Sequence, residues 1–331
     1  MKNPFRRLAV AAILSLFTLY SSLFAASGGA LDTRGIPADV QGLIHIDYAQ
    51  LSKSTLGTGI LQQADQKEYE AIKTQYGFDP AKDITAVTIG LIKSAYGTPA
   101  FFGVARGKFS PEKIAAAAKQ AGARVTTKGK YAIIEGLNLN IPIPFFSQQN
   151  AFTVLDSNTI LFAQTKSGLA KAIAAHTGEA KSYAAPAALD KLRKQTATPL
   201  ALGYLDSNLT PDAYDSGMMS IPKADSVYFS ATEDAQNLLA RIYADFASPD
   251  DAEQLQGTLQ MFTGFMQMAA AKAGGSGKQA DQARMMQKLL SSLQVNLDGN
   301  TLALSITYST ADVLKAIQTY SEKFKAAAAA R

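Results

Sequence analysis

The sequence predicts an α+β fold: two duplicated strand-helix modules, each with an antiparallel sheet and helices mainly on one face. A hairpin-and-helix unit that occurs twice, at residues 155–173 and 297–317, carries most of this prediction. In each copy an apolar run, an Asp-x-Asn-Thr turn and a second apolar run precede a helix containing Lys-Ala-Ile. The composition, 47% hydrophobic and 18% charged residues, is that of a folded globular protein.

Shorter matches between the halves set the module boundaries. The strand pattern LALGYLDSNL in the second half parallels GLIHIDYAQL in the first. Whether the modules form one sheet or two is left open by the sequence. The predicted plan is a signal peptide at 1–27, a first module at 39–180, a connection at 181–197, a second module at 198–325, and a frayed Ala-rich tail at 326–331.

The first 27 residues have the order of a secretory signal peptide. Lys2, Arg6 and Arg7 precede an apolar run, and small residues follow it, so we expect cleavage near Ala25–Ser27 and a periplasmic or secreted protein. The alternative is an uncleaved anchor, since residues 8–26 are near the shortest length that spans a bilayer. This anchor would then be the expected membrane contact of the chain.

Charge and cysteine content exclude several classes of function. Without its three N-terminal basic residues the chain carries 29 basic and 27 acidic residues, so we expect no nucleic-acid partner. The chain has no cysteine, which excludes disulfides, thiolate metal sites and thiol nucleophiles.

Within the first module the clearest element is a strand-to-helix transition. Ser110 is the expected N-cap, Pro111 the first helical residue, and Gly122 the end of the helix. A strand is expected at 84–92 and a hairpin around Gly129. Residues 138–149 (NLNIPIPFFSQQ) hold two prolines among large apolar residues, and are either a loop over the core or an apolar contact with a membrane or partner.

Three helices are expected before the last hairpin, and the third holds Met285, Met286, Leu289 and Leu290. Thr232-Glu233-Asp234 is expected to open one that ends near Phe246. Ser248 is expected to cap the next helix, whose Met-rich part is at 261–268.

The last hairpin has a register that its pattern predicts. A two-residue loop at Gly299-Asn300 would set Leu297 opposite Leu302, leaving one apolar and one polar face. The first copy is apolar on both faces. We therefore expect the polar face of the second copy to be the first place to find a functional surface; it holds Gln294, Asn296, Ser305 and Thr307.

Few residues suggest catalysis. His45 shares a strand face with Asp47, which raises the alternative of a hydrolase that uses His45 as a base. The matching position in the second half is Tyr204, so the module does not need His there. His176 lies at a helix end, where an imidazole suits the helix dipole, and Ser110 and Ser167 are best explained as N-caps.

No recognised motif assigns a cofactor or metal. GGSGKQ lacks the first glycine and the Ser/Thr of a phosphate loop. Asp156, Asp206 and Asp298 lie in Asp-x-Asn turns without the acidic ligand density of a calcium loop. The sequence therefore predicts a protein that is not an enzyme, with no catalytic, cofactor-binding or metal residues and no cofactor.

The signal peptide, GFDPAKDITAVTIG, ARGKFSPEKIAAAA and the hairpins with Lys-Ala-Ile helices resemble uncharacterised extracytoplasmic bacterial proteins of planctomycete or verrucomicrobial type. The resemblance implies export and a duplicated α+β fold, and it carries no catalytic residues to this chain.

Together these patterns predict a non-enzymatic secreted or periplasmic protein that binds an envelope protein or an apolar ligand. The apolar loop at 141–146 and the Met-rich helix are the expected contact sites. A hydrolase and a purely structural envelope module are the alternatives.

Overall fold

A computed structural model shows a mixed α/β protein built on one large antiparallel sheet. The α+β class is therefore confirmed, and the two halves share a single sheet. The structure describes residues 31–63, 66–93, 100–136, 151–196, 199–210, 212–215, 220–234, 236–272 and 287–318.

Twelve strands form the main sheet, and two short strands form a separate pair. The strands are β1 (Gly42–Ile46), β2 (Ile84–Ile92), β3 (Ala100–Gly107), β4 (Arg124–Lys128), β5 (Tyr131–Glu135), β6 (Ala151–Asp156), β7 (Thr159–Ala163), β8 (Ala201–Asp206), β9 (Tyr214–Asp215), β10 (Ser220–Ile221), β11 (Ser226–Glu233), β12 (Asn237–Asp245), β13 (Gln294–Asp298) and β14 (Thr301–Ser309).

Helices connect these strands. Within the described residues they are α1 (Tyr48–Leu51), α2 (Thr55–Gln63), α3 (Gln66–Tyr76), α4 (Pro80–Asp83), α5 (Pro111–Gln120), α6 (Lys166–Thr177), α7 (Ala187–Gln195), α8 (Pro249–Lys272), α9 (287–292) and α10 (310–318).

The strand order places the junction of the two halves at the centre of the sheet. The order is β13-β14-β12-β11-β8-β1-β2-β3-β7-β6-β5-β4. β1 and β8 pair antiparallel, with Ile44 opposite Gly203. Counted outward from this pair, one side runs β1-β2-β3-β7-β6 and the other β8-β11-β12-β14-β13. Each half therefore places its first strand in the middle and a hairpin further out.

Apolar layers cover both faces of the sheet. One layer includes Ile114 of α5, Leu56 of α2 and Phe162 of β7. The other includes Leu169 of α6 and Leu189 of α7. The prediction that helices lie mainly on one face is not confirmed, because α6 and α7 pack against the opposite face from α2 and α5. β1 and β7 are buried throughout because both of their faces are covered.

The predicted turn and cap chemistry is found at several positions. Ser110 caps α5, since its Oγ accepts a hydrogen bond from the Lys113 backbone N–H at 3.4 Å. Ser248 accepts one from the Asp251 N–H at 3.2 Å at the start of α8. The last hairpin has the predicted register, with Leu297 opposite Leu302 and Val295 opposite Leu304.

One predicted helix is wrong. Residues 237–245 form strand β12 rather than a helix, because NLLARIYAD alternates between half-buried and buried positions with the period of a strand. Asp234 closes the β11–β12 turn by accepting hydrogen bonds from the N–H groups of Gln236 and Asn237. Glu233 does lie at a helix N-terminus, but at that of α2: its carboxylate accepts from the N–H groups of Thr55 and Leu56 at 2.8 and 2.9 Å.

A second correction concerns α6. Its N-cap is Thr165, whose Oγ1 accepts from the Gly168 N–H at 3.1 Å, and not Ser167, which lies inside the helix. The N-terminal segment, the apolar loop at 138–149 and the Ala-rich tail lie outside the described residues.

Candidate binding surface

His45 lies in the interior of the sheet. Its side chain is 2% exposed on β1, and its Nδ1 is 2.9 Å from Thr88 Oγ1 on the neighbouring strand. Asp47 is fully buried and caps α1 by accepting from the Gln50 N–H at 3.0 Å. The imidazole is therefore enclosed within the sheet, and Asp47 has a local structural role as the cap of α1.

His176 lies near a charged cluster that holds the segment before β1. Burial lowers the pKa of His176, and the positive charge of Arg106 lowers it further. The helix dipole would favour the opposite shift, so burial and Arg106 outweigh it. Arg106 bonds to Asp32 and Thr159, and Asp32 also binds the side chain of Arg34. This cluster is therefore explained by its role in fixing the chain.

The most prominent surface feature is a row of tyrosines across the second half of the sheet. Tyr204 of β8 lies opposite Tyr228 of β11, and Tyr228 lies opposite Tyr243 of β12. Directly opposed residues share a sheet face, so the three side chains lie on the same face. The rings of Tyr228 and Tyr243 are parallel within 8°, with centroids 5.0 Å apart. All three tyrosines are half-buried.

This row continues onto the outer strands, where the sheet face is open. Tyr243 lies opposite Ala303 of β14, which lies opposite Asn296 of β13. The next row holds Ser230, Arg241, Ser305 and Gln294, again in direct register. Asn296 and Gln294 are exposed, Arg241 is half-buried, and Ser230 is buried. We call Tyr204, Tyr228, Arg241, Tyr243, Gln294 and Asn296 the tyrosine face.

Asp245 fixes the tyrosine face from one end. Its two carboxylate oxygens accept from Ser226 Oγ at 2.9 Å and from Thr301 Oγ1 at 2.6 Å. Burial raises the pKa of Tyr228 to about 12, and the charge of Asp245 adds to the shift. Burial raises the pKa of Tyr204 as well. Both phenols therefore remain protonated donors at any physiological pH.

The sequence predicted part of this surface. Gln294, Asn296, Ser305 and Thr307 were expected to form a polar face and do lie on one face of β13 and β14, by the register of the hairpin. The tyrosines and Arg241 were missed. Their signal was the period-two alternation in 226–233 and 237–245, which was obscured where β12 was assigned as a helix.

A cleft of about 400 Å³ lies at the other end of the sheet, between α6 and the β4–β5 hairpin. Its floor is apolar and is formed by Ile133, Ala170 and Ile173. Lys128 and Lys166 stand at its rim, and the ammonium of Lys166 donates to Glu135 at 3.0 Å and to Thr126 at 3.2 Å.

A stripe of bulky apolar residues is exposed on α8. Met261, Phe265 and Met268 are 54%, 63% and 61% exposed. Their spacing places them on one side of the helix, while Ala252, Leu255 and Leu259 pack against the sheet from the other. In the described part of the chain these are the large apolar side chains left exposed. The predicted Met-rich helix is therefore present at 261–268, as part of α8, and its exposed apolar side chains face away from the sheet.

Two kinds of site are not found among the described residues. They contain no group of three or more acidic or histidine side chains placed to hold a metal ion. None of the helices in this part of the chain is both long and apolar enough to cross a membrane.

Comparison with known proteins identifies a shared fold. No protein-family model and no curated protein matches the chain. The structure is similar to TP0453, a Treponema protein, in crystal form III, with a TM-score of 0.51 and 11% identity over 88% of this chain and 99% of that one. Crystal form IV of TP0453 gives a TM-score of 0.51 and 11% identity, covering 87% of this chain and 97% of the TP0453 chain. At this identity the likeness shows the fold alone: this chain, with its twelve-stranded antiparallel sheet, shares the mixed α/β fold of TP0453.

Proposed function

We propose that this protein is a non-enzymatic periplasmic or secreted protein that binds an envelope protein through the tyrosine face. The observation that carries the proposal is the row Tyr204–Tyr228–Tyr243, which runs in direct register toward the open polar strand β13. Pre-ordered rings beside an exposed edge offer a large contact area at little cost in side-chain entropy.

The composition of the face favours a protein as the partner. Tyrosine and arginine are the residues that most often dominate protein–protein binding energy, and Lys and Glu are depleted at the cores of such interfaces. The tyrosine face holds three tyrosines and Arg241 and includes neither Lys nor Glu. Asn296 and Gln294 would supply hydrogen bonds at its rim.

Export and duplication are part of the same proposal. The basic, apolar and small-residue order of 1–27 supports export, as does the resemblance to extracytoplasmic proteins. We infer that the halves are duplicated modules, and the matching strand order on the two sides of the β1–β8 pair supports this. Recovery of the protein from the periplasm or medium with an N-terminus between residues 26 and 28 would agree with export. A cytoplasmic protein starting at Met1 would contradict it.

The test of binding starts from crosslinking in the native envelope, which identifies the partner. Affinity is then measured for the purified pair. Tyr228→Ala with Tyr243→Ala is expected to weaken binding at least about tenfold, the effect of losing interface hot spots. The matched control is Tyr131→Ala, which removes a half-buried tyrosine from β5 at the far end of the sheet. Equal affinity for wild type and the double variant would reject the tyrosine face. The absence of any specific adduct would favour the purely structural envelope module.

The cleft beside α6 supports a second candidate function, the binding of an apolar ligand with an acidic head group. Its floor is apolar, and the exposed Lys128 could pair with an anion at the rim, whereas Lys166 is already paired with Glu135. A fluorescent fatty acid is the suitable probe. Binding that weakens in Lys128→Gln and is unchanged in Lys119→Gln, an exposed lysine on α5, would support this candidate. Equal binding in both variants would reject it.

A further inference from the structure

We infer that residues 31–41, which we call the strap, form an acid-sensitive conformational switch. The strap is closed over the sheet while His176 is neutral, and it opens more often once His176 is protonated. The inference goes beyond the proposed function, because opening of the strap does not depend on what the tyrosine face binds. The strap packs on the sheet face that α6 covers, and an ion pair of 3.1 Å joins Asp39 of the strap to Lys171 of α6.

Two buried apolar side chains attach the strap to the sheet. Ile36 is fully buried and Val40 is buried, and both pack in the layer that contains Leu169 of α6. They lie against β2 at Gly90, where an added Cβ would be 2.6 Å from Ile36 Cγ2 and 3.0 Å from Val40 Cγ1. The strap is therefore part of the core on this face, although it lies before the first strand.

Two backbone hydrogen bonds join the strap to the segment after α6. The Tyr183 N–H donates to the Ile36 carbonyl at 2.8 Å, and the Ala38 N–H donates to the Lys181 carbonyl at 3.2 Å. Opening of the strap breaks both bonds. The amides of Ala38 and Tyr183 therefore report directly on whether the strap is closed.

His176 lies where the strap passes β3 and the end of α6. Its Nδ1 is buried and has no hydrogen-bond partner in the part of the chain that the structure describes. A Cβ added at Gly35 of the strap would be 3.6 Å from this nitrogen and 3.1 Å from Val104 of β3. The closed strap thus covers the ring, and opening it would admit water to Nδ1.

The charged groups that act on His176 come from β3 and from the strap. Burial is the largest effect, and together with the positive charges of Arg106 and Arg34 it lowers the pKa of His176 below its ordinary value of 6.5. The backbone of Arg34 and the charge of Asp32 oppose this shift but are outweighed. Asp32 already binds both Arg106 and Arg34, and Asp156 acts on Arg34. The closed strap therefore favours a neutral ring.

Opening the strap removes the main obstacle to protonation, because it hydrates the ring and takes Arg34 away from it. His176 therefore binds a proton more readily in the open state than in the closed state. By linkage, the contribution of the neutral ring to closure is complete above pH 6.5 and is lost as the pH falls from 6.5 through the lower pKa of the closed state. Asp32 stays ionised in this range, since its pKa is about 2.

Residue-resolved amide hydrogen exchange between about pH 7.5 and about pH 5 tests the switch. Dividing each rate by the intrinsic rate of that amide removes the pH dependence of the exchange chemistry. Protection of the Ala38 and Tyr183 amides should fall severalfold over this range, whereas protection within β11 and β12 should not change. In His176→Gln, whose side chain stays neutral, the fall should be absent. The matched control is Lys181→Gln, which removes an exposed charge beside the strap and should keep the wild-type response.

Titration of the His176 imidazole by NMR is a second measurement, and it needs no variant in order to interpret it. The chain has two histidines, so the two imidazole signals can be separated. The midpoint for His176 should lie below 6.5 and coincide with the change in Ala38 protection. A midpoint of 6.5 or above would overturn the inference. Constant protection in the wild type, an equal fall in His176→Gln, or a fall shared by β11 and β12 would overturn it as well.

Discussion

Tyr228 and Tyr243 stack in parallel at 5.0 Å on adjacent strands, and the charge of Asp245, two residues beyond Tyr243, acts on the phenol of Tyr228. The contact joins β11 to β12 on the side of the sheet where the outer strands are open. The stacked pair is thus held by ring contact, with the half-buried carboxylate of Asp245 next to it. The proposed function depends on this preordered arrangement.

Replacing Asp245 by Asn is expected to lower the pKa of Tyr228 and of Tyr204. The negative charge of Asp245 disfavours a second negative charge on either phenol, so its removal makes ionisation easier. Burial remains, so the pKa of Tyr228 should fall from about 12 but stay above its ordinary value of 10.0. An absorbance titration of tyrosinate formation measures this shift. An unchanged titration would show that Asp245 does not act on the tyrosine face.

A valine at position 203 is expected to destabilise the centre of the sheet. A Cβ at Gly203 would lie 2.1 Å from the ring of Phe229, which covers the glycine where β1, β8 and β11 meet. The ring must move, so Gly203→Val should cost about 1–3 kcal/mol of unfolding free energy. Urea unfolding measures the loss. Adding Phe229→Leu should recover part of it, and no recovery would contradict the clash as the cause.

Acid should weaken the attachment of the segment before β1 through Asp32. Burial would raise the pKa of Asp32, but hydrogen bonds from Arg34 and the charges of Arg106 and Arg34 outweigh it and lower the pKa to about 2. A carboxyl whose pKa is lowered by folding stabilises the protein above its unfolded pKa of 3.8 and loses that contribution as the pH falls toward 2. The loss should be at most about 2 kcal/mol, because solvent screens the ion pairs of this half-buried carboxyl. Unfolding measured from pH 6 to about 2 should show a loss that is absent in Asp32→Asn. The same loss in both proteins would contradict this role.

Glu233 links the two halves by capping a helix that belongs to the other half. Its carboxylate accepts two backbone N–H groups at the start of α2. Glu233→Ala should cost about 1 kcal/mol, the usual value of an N-terminal cap. Urea unfolding tests this against Glu253→Ala, which changes an exposed acidic residue in the second turn of α8. Equal stability of Glu233→Ala and wild type would show that this cap contributes nothing.

Local patterns predicted much of the fold because the physics that decides those elements is local. The register of the last hairpin follows from the two-residue loop at Gly299-Asn300, and the start of α5 follows from Ser110 and Pro111. Both lie within a few residues of the atoms they contact. The polar face of the last hairpin followed from the alternation of polar and apolar residues along β13 and β14.

Features that depend on distant contacts were missed or assigned wrongly. Thr232-Glu233-Asp234 has the composition of a helix start. Glu233 instead caps α2, whose first residue, Thr55, is 178 residues away in the sequence. The assignment of 237–245 as a helix then concealed Tyr243 and Arg241. The tyrosine row needs three strands, β8, β11 and β12, brought into register, so the alternation within each strand could not show that the tyrosines lie next to one another.

The most direct test of the proposed function is a photo-crosslinking side chain placed at Asn296, at the exposed end of the tyrosine row. The matched position is Thr127, which is exposed on β4 at the opposite edge of the sheet. In the native envelope the probe at position 296 should yield one specific protein adduct, which is lost when Tyr228 is changed to Ala, and the probe at 127 should not yield it. An equal adduct from both positions, or one at 296 that persists without Tyr228, would contradict binding through the tyrosine face.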